Sequence, residues 1–468
     1  MQCYKLSIKS NCYNKQRGIA LLILLLILGT GALYALLRTL NQNNLQFERD
    51  KKTAEALAVA KEALIGYATK MALQIALPAG AIRPGDLPCP DLNNDGKSEN
   101  TCGAGSSITQ QATRLGRLPW KDLGIPDLRD GYGERLWYAV SHNFKESNRH
   151  TPLNSNTNGT ITVRDNFGSV IHNGATATGA IAIIFSPGPP LMREGAASMQ
   201  DRSCAGAGEC TSSICSTSPA ILTPSCNPIN YLDRAMGEDN ANFIDSNSSD
   251  GFIHGVVKDG SGNILVNDQL RVISYEVLMP AIERRVAGEA AKCLTEYAKD
   301  SLGRFPWAAP LNPSAPPAYA DVANTYLGRL PEPFFSQTAI SSSGLMRDNW
   351  VNLCGIGINS AAWWIANQWK EQVFYAVAPD YSPANLPANS CSGGCLTVNG
   401  FATPQINKQF LVMVAGRAFA SQLRNTNLHK GSAVNYLEKN NANPLPNNQF
   451  QRGSVSADFN DAVQFYPR

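Results

Sequence analysis

Charge and histidine are what this sequence has least of. Of its 468 residues only 16% are charged and 5 are histidine. The 40 basic residues nearly cancel the 37 acidic ones, leaving a net +3. A nucleic-acid binder shows a basic excess or stripe. Neither is present, so nucleic acid is not expected as a partner. Hydrolase and nucleotide signatures are absent as well: there is no Gly-x-Ser-x-Gly, no His-Glu-x-x-His and no phosphate loop. His142, His150, His172, His254 and His429 are scattered through polar stretches, none with a Cys or acid at ligand spacing. The chain is therefore not expected to be an enzyme.

What is there is apolar, loop-rich and cysteine-bearing. Hydrophobic residues make up 43%, with 38 Gly and 28 Pro. The length suggests about two or three domains. Of the 12 cysteines, Cys3 and Cys12 precede a long apolar run and the rest follow it. An even set beyond such a run fits disulfides in an oxidising compartment. Cys391 and Cys395 have zinc-like spacing, but no His or second Cys pair follows nearby. Sequence does not fix connectivity. The local pairs are Cys89–Cys102, Cys204–Cys210, Cys215–Cys226 and Cys391–Cys395, which leaves Cys293 with Cys354.

The first eighteen residues are polar and basic, carrying Lys5, Lys9, Lys15 and Arg17 without an acid. Residues 19–37 carry no charge and are rich in Leu and Ile. At helical rise that run covers roughly 28 Å, about one hydrocarbon core. The positive flank would stay in the cytoplasm. The junction Lys15-Gln16-Arg17-Gly18-Ile19 resembles the leader of type IV pilins and type II secretion pseudopilins. In that family a prepilin peptidase cuts after the glycine, the new N-terminus is methylated, and the apolar helix becomes the filament core. The resemblance implies cleavage between Gly18 and Ile19, N-methylation of Ile19, and other pilins or pseudopilins as partners through the N-terminal helix. It also implies a single-pass protein of the bacterial inner membrane, with heads in the periplasm or, after assembly, outside the cell. Most members carry Glu at the fifth mature position. Here that position is Ile23. A subunit with no neighbour ahead of it has no need of that Glu, as in the tip-located K-type minor pseudopilin.

After Arg38 the apolar pattern turns amphipathic. Leu57, Ala60, Leu64 and Ala68 fall on one helical face, and Glu55, Lys61 and Glu62 off it. Six segments then recur in order: Ala63-Leu64-Ile65-Gly66-Tyr67-Ala68 with Cys293-Leu294-Thr295-Glu296-Tyr297-Ala298, Gly116-Arg117-Leu118-Pro119 with Gly328-Arg329-Leu330-Pro331, and Trp137-Tyr138-Ala139-Val140 with Phe374-Tyr375-Ala376-Val377. Ile181-Ala182-Ile183-Ile184-Phe185 matches Phe410-Leu411-Val412-Met413-Val414, Asn230-Tyr231-Leu232-Asp233 matches Asn435-Tyr436-Leu437-Glu438, and Asn267-Asp268 matches Asn460-Asp461. This order reads as a domain duplication. Strands are predicted near 134–141, 179–185, 269–275, 372–378, 409–415 and 462–466, and a second helix near 277–299 with Pro280 in its first turn. The expected fold class is α+β: a long N-terminal membrane-spanning helix, then two tandem pilin-like heads, each a helix packed on a small antiparallel sheet. The expected division is a leader over 1–18, a helix over 19–72 with its membrane segment at 19–37, and heads over 73–275 and 276–468.

Asp91-Leu92-Asn93-Asn94-Asp95-Gly96 resembles the start of a calcium loop. Its oxygens would come from Asp91, Asn93, Asp95 and Glu99; the closing Glu is absent, and an Asx-rich turn is the competing reading. No other cofactor is expected. Residues 127–135 alternate acids and bases as in an ion-paired turn. Trp350, Trp363, Trp364 and Trp369 fit a core. The polar stretch 154–173 and the polar, cysteine-bearing stretch 196–230 are long loops, natural contact surfaces for partner or cargo. The sequence thus points to a minor pilin or pseudopilin-like structural subunit at a filament tip. The alternative is an anchored binding protein or adhesin that never polymerises.

Overall fold

A computed structural model describes residues 17–70, 83–103, 114–146, 152–202, 227–242, 251–311, 319, 321–331, 364, 366–384, 390–443 and 448–467. Helix α1 runs from Arg17–Thr69 without a break and helix α2 over Tyr275–Asp300. Leu57, Ala60, Leu64 and Ala68 are all buried, as their three-and-four spacing requires. Ser274 precedes α2 in an extended conformation, and Glu276 in its first turn complements the helix dipole. Pro280 lies in the helix interior, past the first turn where it was predicted.

Two four-stranded antiparallel sheets carry the fold. The first orders β1 (Leu115–Arg117), β2 (Trp137–Val140), β5 (Ala182–Ser186) and β11 (Gln269–Ile273). The second orders β12 (Leu327–Arg329), β13 (Val373–Val377), β16 (Phe410–Val414) and β18 (Ala462–Tyr466). The two sheets repeat one topology, strand for strand. Each is accompanied by a three-stranded sheet of mixed direction. In the first unit β3 (Val163–Asp165) pairs antiparallel with β4 (Val170–His172) and parallel with β8 (Phe252–His254). In the second β14 (Leu396–Asn399) pairs antiparallel with β15 (Gln405–Lys408) and parallel with β17 (Gln449–Gln451). Two small hairpins, β6 (Arg234–Ala235) with β7 (Glu238–Asp239) and β9 (Val257–Lys258) with β10 (Ile264–Val266), occur in the first unit.

The central strands are buried on both faces, which explains their unbroken apolar runs. Val373, Tyr375 and Val377 join the core beneath the helices, while Phe374 and Ala376 join a second core beneath the three-stranded sheet. Tyr138 and Val140 against Trp137 and Ala139 repeat this division in the first unit. Helix α1 packs on β5 and β11, α2 on β16 and β18, and the helices on one another. One continuous core therefore runs from the first sheet through both helices to the second. A polar seam reinforces it: Asn367 accepts from the Leu153 amide (2.9 Å) and its carbonyl from Asn154 Nδ2 (2.7 Å), while Arg424 Nη1 donates to Asn156 Oδ1 (2.9 Å). Tyr275 donates to the Ser155 carbonyl at 2.7 Å, with the Arg417 guanidinium 3.6 Å above its ring.

Two expectations are corrected here. Among the described residues no helix is long and apolar enough to cross a membrane. Within α1 the apolar stretch is diluted by Gly29, Thr30 and Gly31. The membrane segment over 19–37, and the single-pass inner-membrane location that rested on it, are therefore not supported. The layout of a membrane-spanning helix followed by heads of one helix on one sheet does not hold either. The molecule is α+β, but built of several small sheets, because each four-stranded sheet has a second apolar face that also needs covering.

Candidate functional site

Among the described residues a buried polar cluster occurs twice. In the first unit Asp268 Oδ2 accepts from the Asp233 amide and from Asn240 Nδ2, both at 2.8 Å. Asn240 Oδ1 accepts from the Ile253 amide at 2.8 Å. Asp233 in turn accepts from the Asn267 amide (2.8 Å) and from Gln200 Nε2 (3.0 Å). Arg202 donates to the carbonyls of Gly188, Asn230 and Tyr231 and to Gln200 Oε1. The second unit repeats each bond with its own residues. Asp461 Oδ2 accepts from the Glu438 amide (3.0 Å) and Asn441 Nδ2 (2.8 Å), and Asn441 Oδ1 from the Gln451 amide (2.8 Å). Glu438 accepts from the Asn460 amide (3.0 Å) and Gln422 Nε2 (2.9 Å). Arg424 reaches the carbonyls of Gly416, Asn435 and Tyr436 and Gln422 Oε1.

A second arginine backs each cluster. Arg117 lies 4.2 Å from the Trp137 ring and 4.0 Å from Tyr231; Arg329 lies 3.9 Å from Phe374 and 4.2 Å from Tyr436. A guanidinium between two aromatic faces keeps an electrostatic partner without a carboxylate. Burial nonetheless pulls Arg117 down to about 10. The acids move the other way. Burial, and then the neighbouring carboxyl, pushes Asp268 and Asp461 well above the usual carboxylate range, and burial pushes Asp233 up to about 6. Neighbouring buried acids do not ionise together. The chemistry is that of a clasp: it ties the long excursions between strands back to the sheet.

Sequence reasoning had found the Asn-Tyr-Leu-acid and Asn-Asp segments as repeat markers but missed their role. It also missed Gln200, Arg202, Asn240, Gln422, Arg424 and Asn441. The signal was present as Gln-x-Arg at 200–202 and 422–424, in the same order in both halves.

The predicted residues fall as follows. Gly18 and Ile19 lie in the first turn of α1, and Ile23 is exposed. Asp91 is buried and bridges β1 through its backbone, with N and O paired to Arg117 at 2.9 and 2.7 Å. Its carboxylate accepts from the Asp95 amide (3.2 Å) and Gly96 amide (2.7 Å), Asn93 Oδ1 from the Asp95 amide (2.9 Å), and Glu99 from the Leu92 amide (3.3 Å). Burial lifts Asp91 to about 7. Gly96, at φ 86°, packs under Trp120. The loop is thus an Asx-rich turn whose oxygens already hold backbone amides, and among the described residues no three His, Cys, Asp or Glu side chains converge on a metal position.

Cys89–Cys102 and Cys391–Cys395 are disulfides, with S–S distances of 2.02 and 1.96 Å. Cys293 is buried in the shared core; its predicted partner Cys354, and Cys204, Cys210, Cys215 and Cys226, lie outside the described residues. Trp364 and Trp369 are core residues, while Trp350 and Trp363 also lie outside the described set. In the 127–135 stretch Asp127 pairs with Arg129 (2.7 Å) and Arg135 (3.0 Å), and Asp130 receives the Ser186 hydroxyl (2.8 Å) and the Gly188 amide (3.2 Å). No known protein family, no curated protein and no solved structure matches this chain.

Proposed function

We propose that the chain is a structural subunit, similar to minor pilins and pseudopilins, that assembles through α1. What carries this reading is the unequal burial along that helix. Its C-terminal part buries Leu57, Ala60, Leu64 and Ala68 against the sheets, while residues 21–34 are exposed throughout. Leu21, Leu22, Leu24, Leu25, Leu26, Ile27 and Leu28 are each more than half exposed. A contiguous apolar surface of this kind marks an interaction site, and the Arg17-Gly18-Ile19 junction supplies the matching sequence feature. Helices of neighbouring subunits are the proposed cover. Ile23, where most pilins carry Glu, supports a position at the end of such an assembly.

The test is the mass of the N-terminus of protein recovered from cells. A chain that begins at an N-methylated Ile19 is the expected result. A chain that retains its first eighteen residues overturns the reading.

A further inference from the structure

Strand β18 is the last strand of the second four-stranded sheet and is hydrogen-bonded to β16 alone. Among the described residues nothing pairs with its outer side. In an antiparallel strand alternate residues turn N–H and C=O away from the partner, so this side presents a row of open backbone groups. The free edge forms part of an open cleft of about 410 Å³ that also includes α2 at Glu283 and Arg284 and the loop residues Phe401 and Arg452. A strand edge facing a helix across a cleft is the geometry that accepts an extended peptide as an added strand.

The charges in the cleft select the peptide. Arg284 and Arg452 are exposed, and neither guanidinium has a hydrogen bond or ion pair among the described residues. Glu283 does not neutralise Arg284. It is buried, and its Oε1 accepts from the Tyr275 hydroxyl at 3.1 Å. Asp461, also at the cleft, is buried and committed to Asn441 and the Glu438 amide. The Arg452 guanidinium lies 5.2 Å over the Phe401 ring, which holds one cation against an apolar face. The cleft thus offers open strand groups, two unneutralised cations and an exposed aromatic ring.

We infer that this cleft is a docking groove for an extended, acidic peptide segment of another protein, which adds beside β18 and places carboxylates on Arg284 and Arg452. The inference does not depend on assembly through α1.

The test is selection of a random peptide library displayed on phage against the immobilised full chain. Each enriched peptide is then synthesised and its affinity measured by fluorescence anisotropy. Acid-rich peptides are expected, weakened roughly tenfold or more by Arg284→Glu with Arg452→Glu, both surface changes. N-methylation of alternate peptide amides should abolish binding, since it removes the donors that an added strand needs. Bound peptide should slow hydrogen exchange within β18. No enrichment, peptides without acids, binding indifferent to the charge reversal or to N-methylation, or protection that maps elsewhere would each overturn the inference. So would displacement of the peptides by an acidic oligosaccharide that binds more tightly than any of them, because that assigns the cleft to glycans.

Discussion

At the scale of single residues the molecule is marked by acids that burial has made reluctant to ionise. Asp91 is raised from 3.8 to about 7, Asp233 from 3.8 to about 6, and Glu283 from 4.5 to about 7, each chiefly by burial. A raised acid binds its proton more tightly in the folded chain. Its contribution to stability is complete below the unfolded value and is lost as the pH climbs through the folded one. The unfolding free energy should therefore be greatest near pH 4 and fall toward pH 8 by a few kcal/mol, at about 1.4 kcal/mol per pH unit crossed by each group, with the thermal midpoint falling in the same direction. Melting curves across that range, with Asp91→Asn flattening part of the slope, check the sign. A separate prediction concerns the clasps. Asn441→Ala removes three hydrogen bonds at once, leaving the Asp461 carboxylate with the Glu438 amide and the Gln451 backbone groups without their Asn441 partner. A loss of about 2 to 4 kcal/mol is expected in denaturant unfolding, with a similar loss for Asn240→Ala.

At the scale of elements, the repeat Gly-Arg-Leu-Pro has a steric cause. The backbone beside each glycine is crossed by another segment, bridged as Asp91 to Arg117 and as Ala309 to Arg329. A Cβ on Gly116 would stand 2.8 Å from the Asp91 carbonyl, and one on Gly328 would collide with the Ala309 carbonyl. Gly116→Ala and Gly328→Ala should each cost roughly 2 kcal/mol or more, Gly328 the larger, since backbone rather than a flexible side chain must give way. Equilibrium unfolding of the two variants tests the ranking. These elements were legible because they are locally encoded: Trp137-Tyr138-Ala139-Val140 and its counterpart declare buried strands by composition, and Leu57 to Ala68 declare a helix by spacing. The three-stranded sheets were not legible. Strands such as Val163–Asp165 and Phe252–His254 are three residues long, and they pair in parallel across a long excursion that leaves no periodic trace. The clasp residues escaped for a related reason. Gln200, Asn240 and Asp268 are polar residues in loops, and only the folded chain shows that one carboxylate gathers their partners. The apolar run was over-read in the opposite direction, since its composition announces a membrane span that the described helix does not bear out.

At the scale of the whole molecule, the two repeats do not fold as beads on a string. Leu64, Leu278, Ile282, Ile184 and Val412 belong to one core, so neither repeat keeps an intact interior without the other. The seam from Asn367 to Leu153 and Asn154 adds to this dependence. Calorimetry of the full chain should show a single transition whose van't Hoff and calorimetric enthalpies agree; two resolved transitions would mean that the shared core contributes little. The same architecture has a mechanical side. Helix α1 is anchored to the body by Leu57, Ala60, Leu64 and Ala68, spaced along its axis, and by Thr53, whose hydroxyl receives the Gly131 amide at 2.9 Å. A pull on the exposed end along that axis loads all of these contacts in parallel, as shear, and not one after another, as in peeling. The helix is in effect a tow-bar, and its resistance under tension is the sum of its attachments.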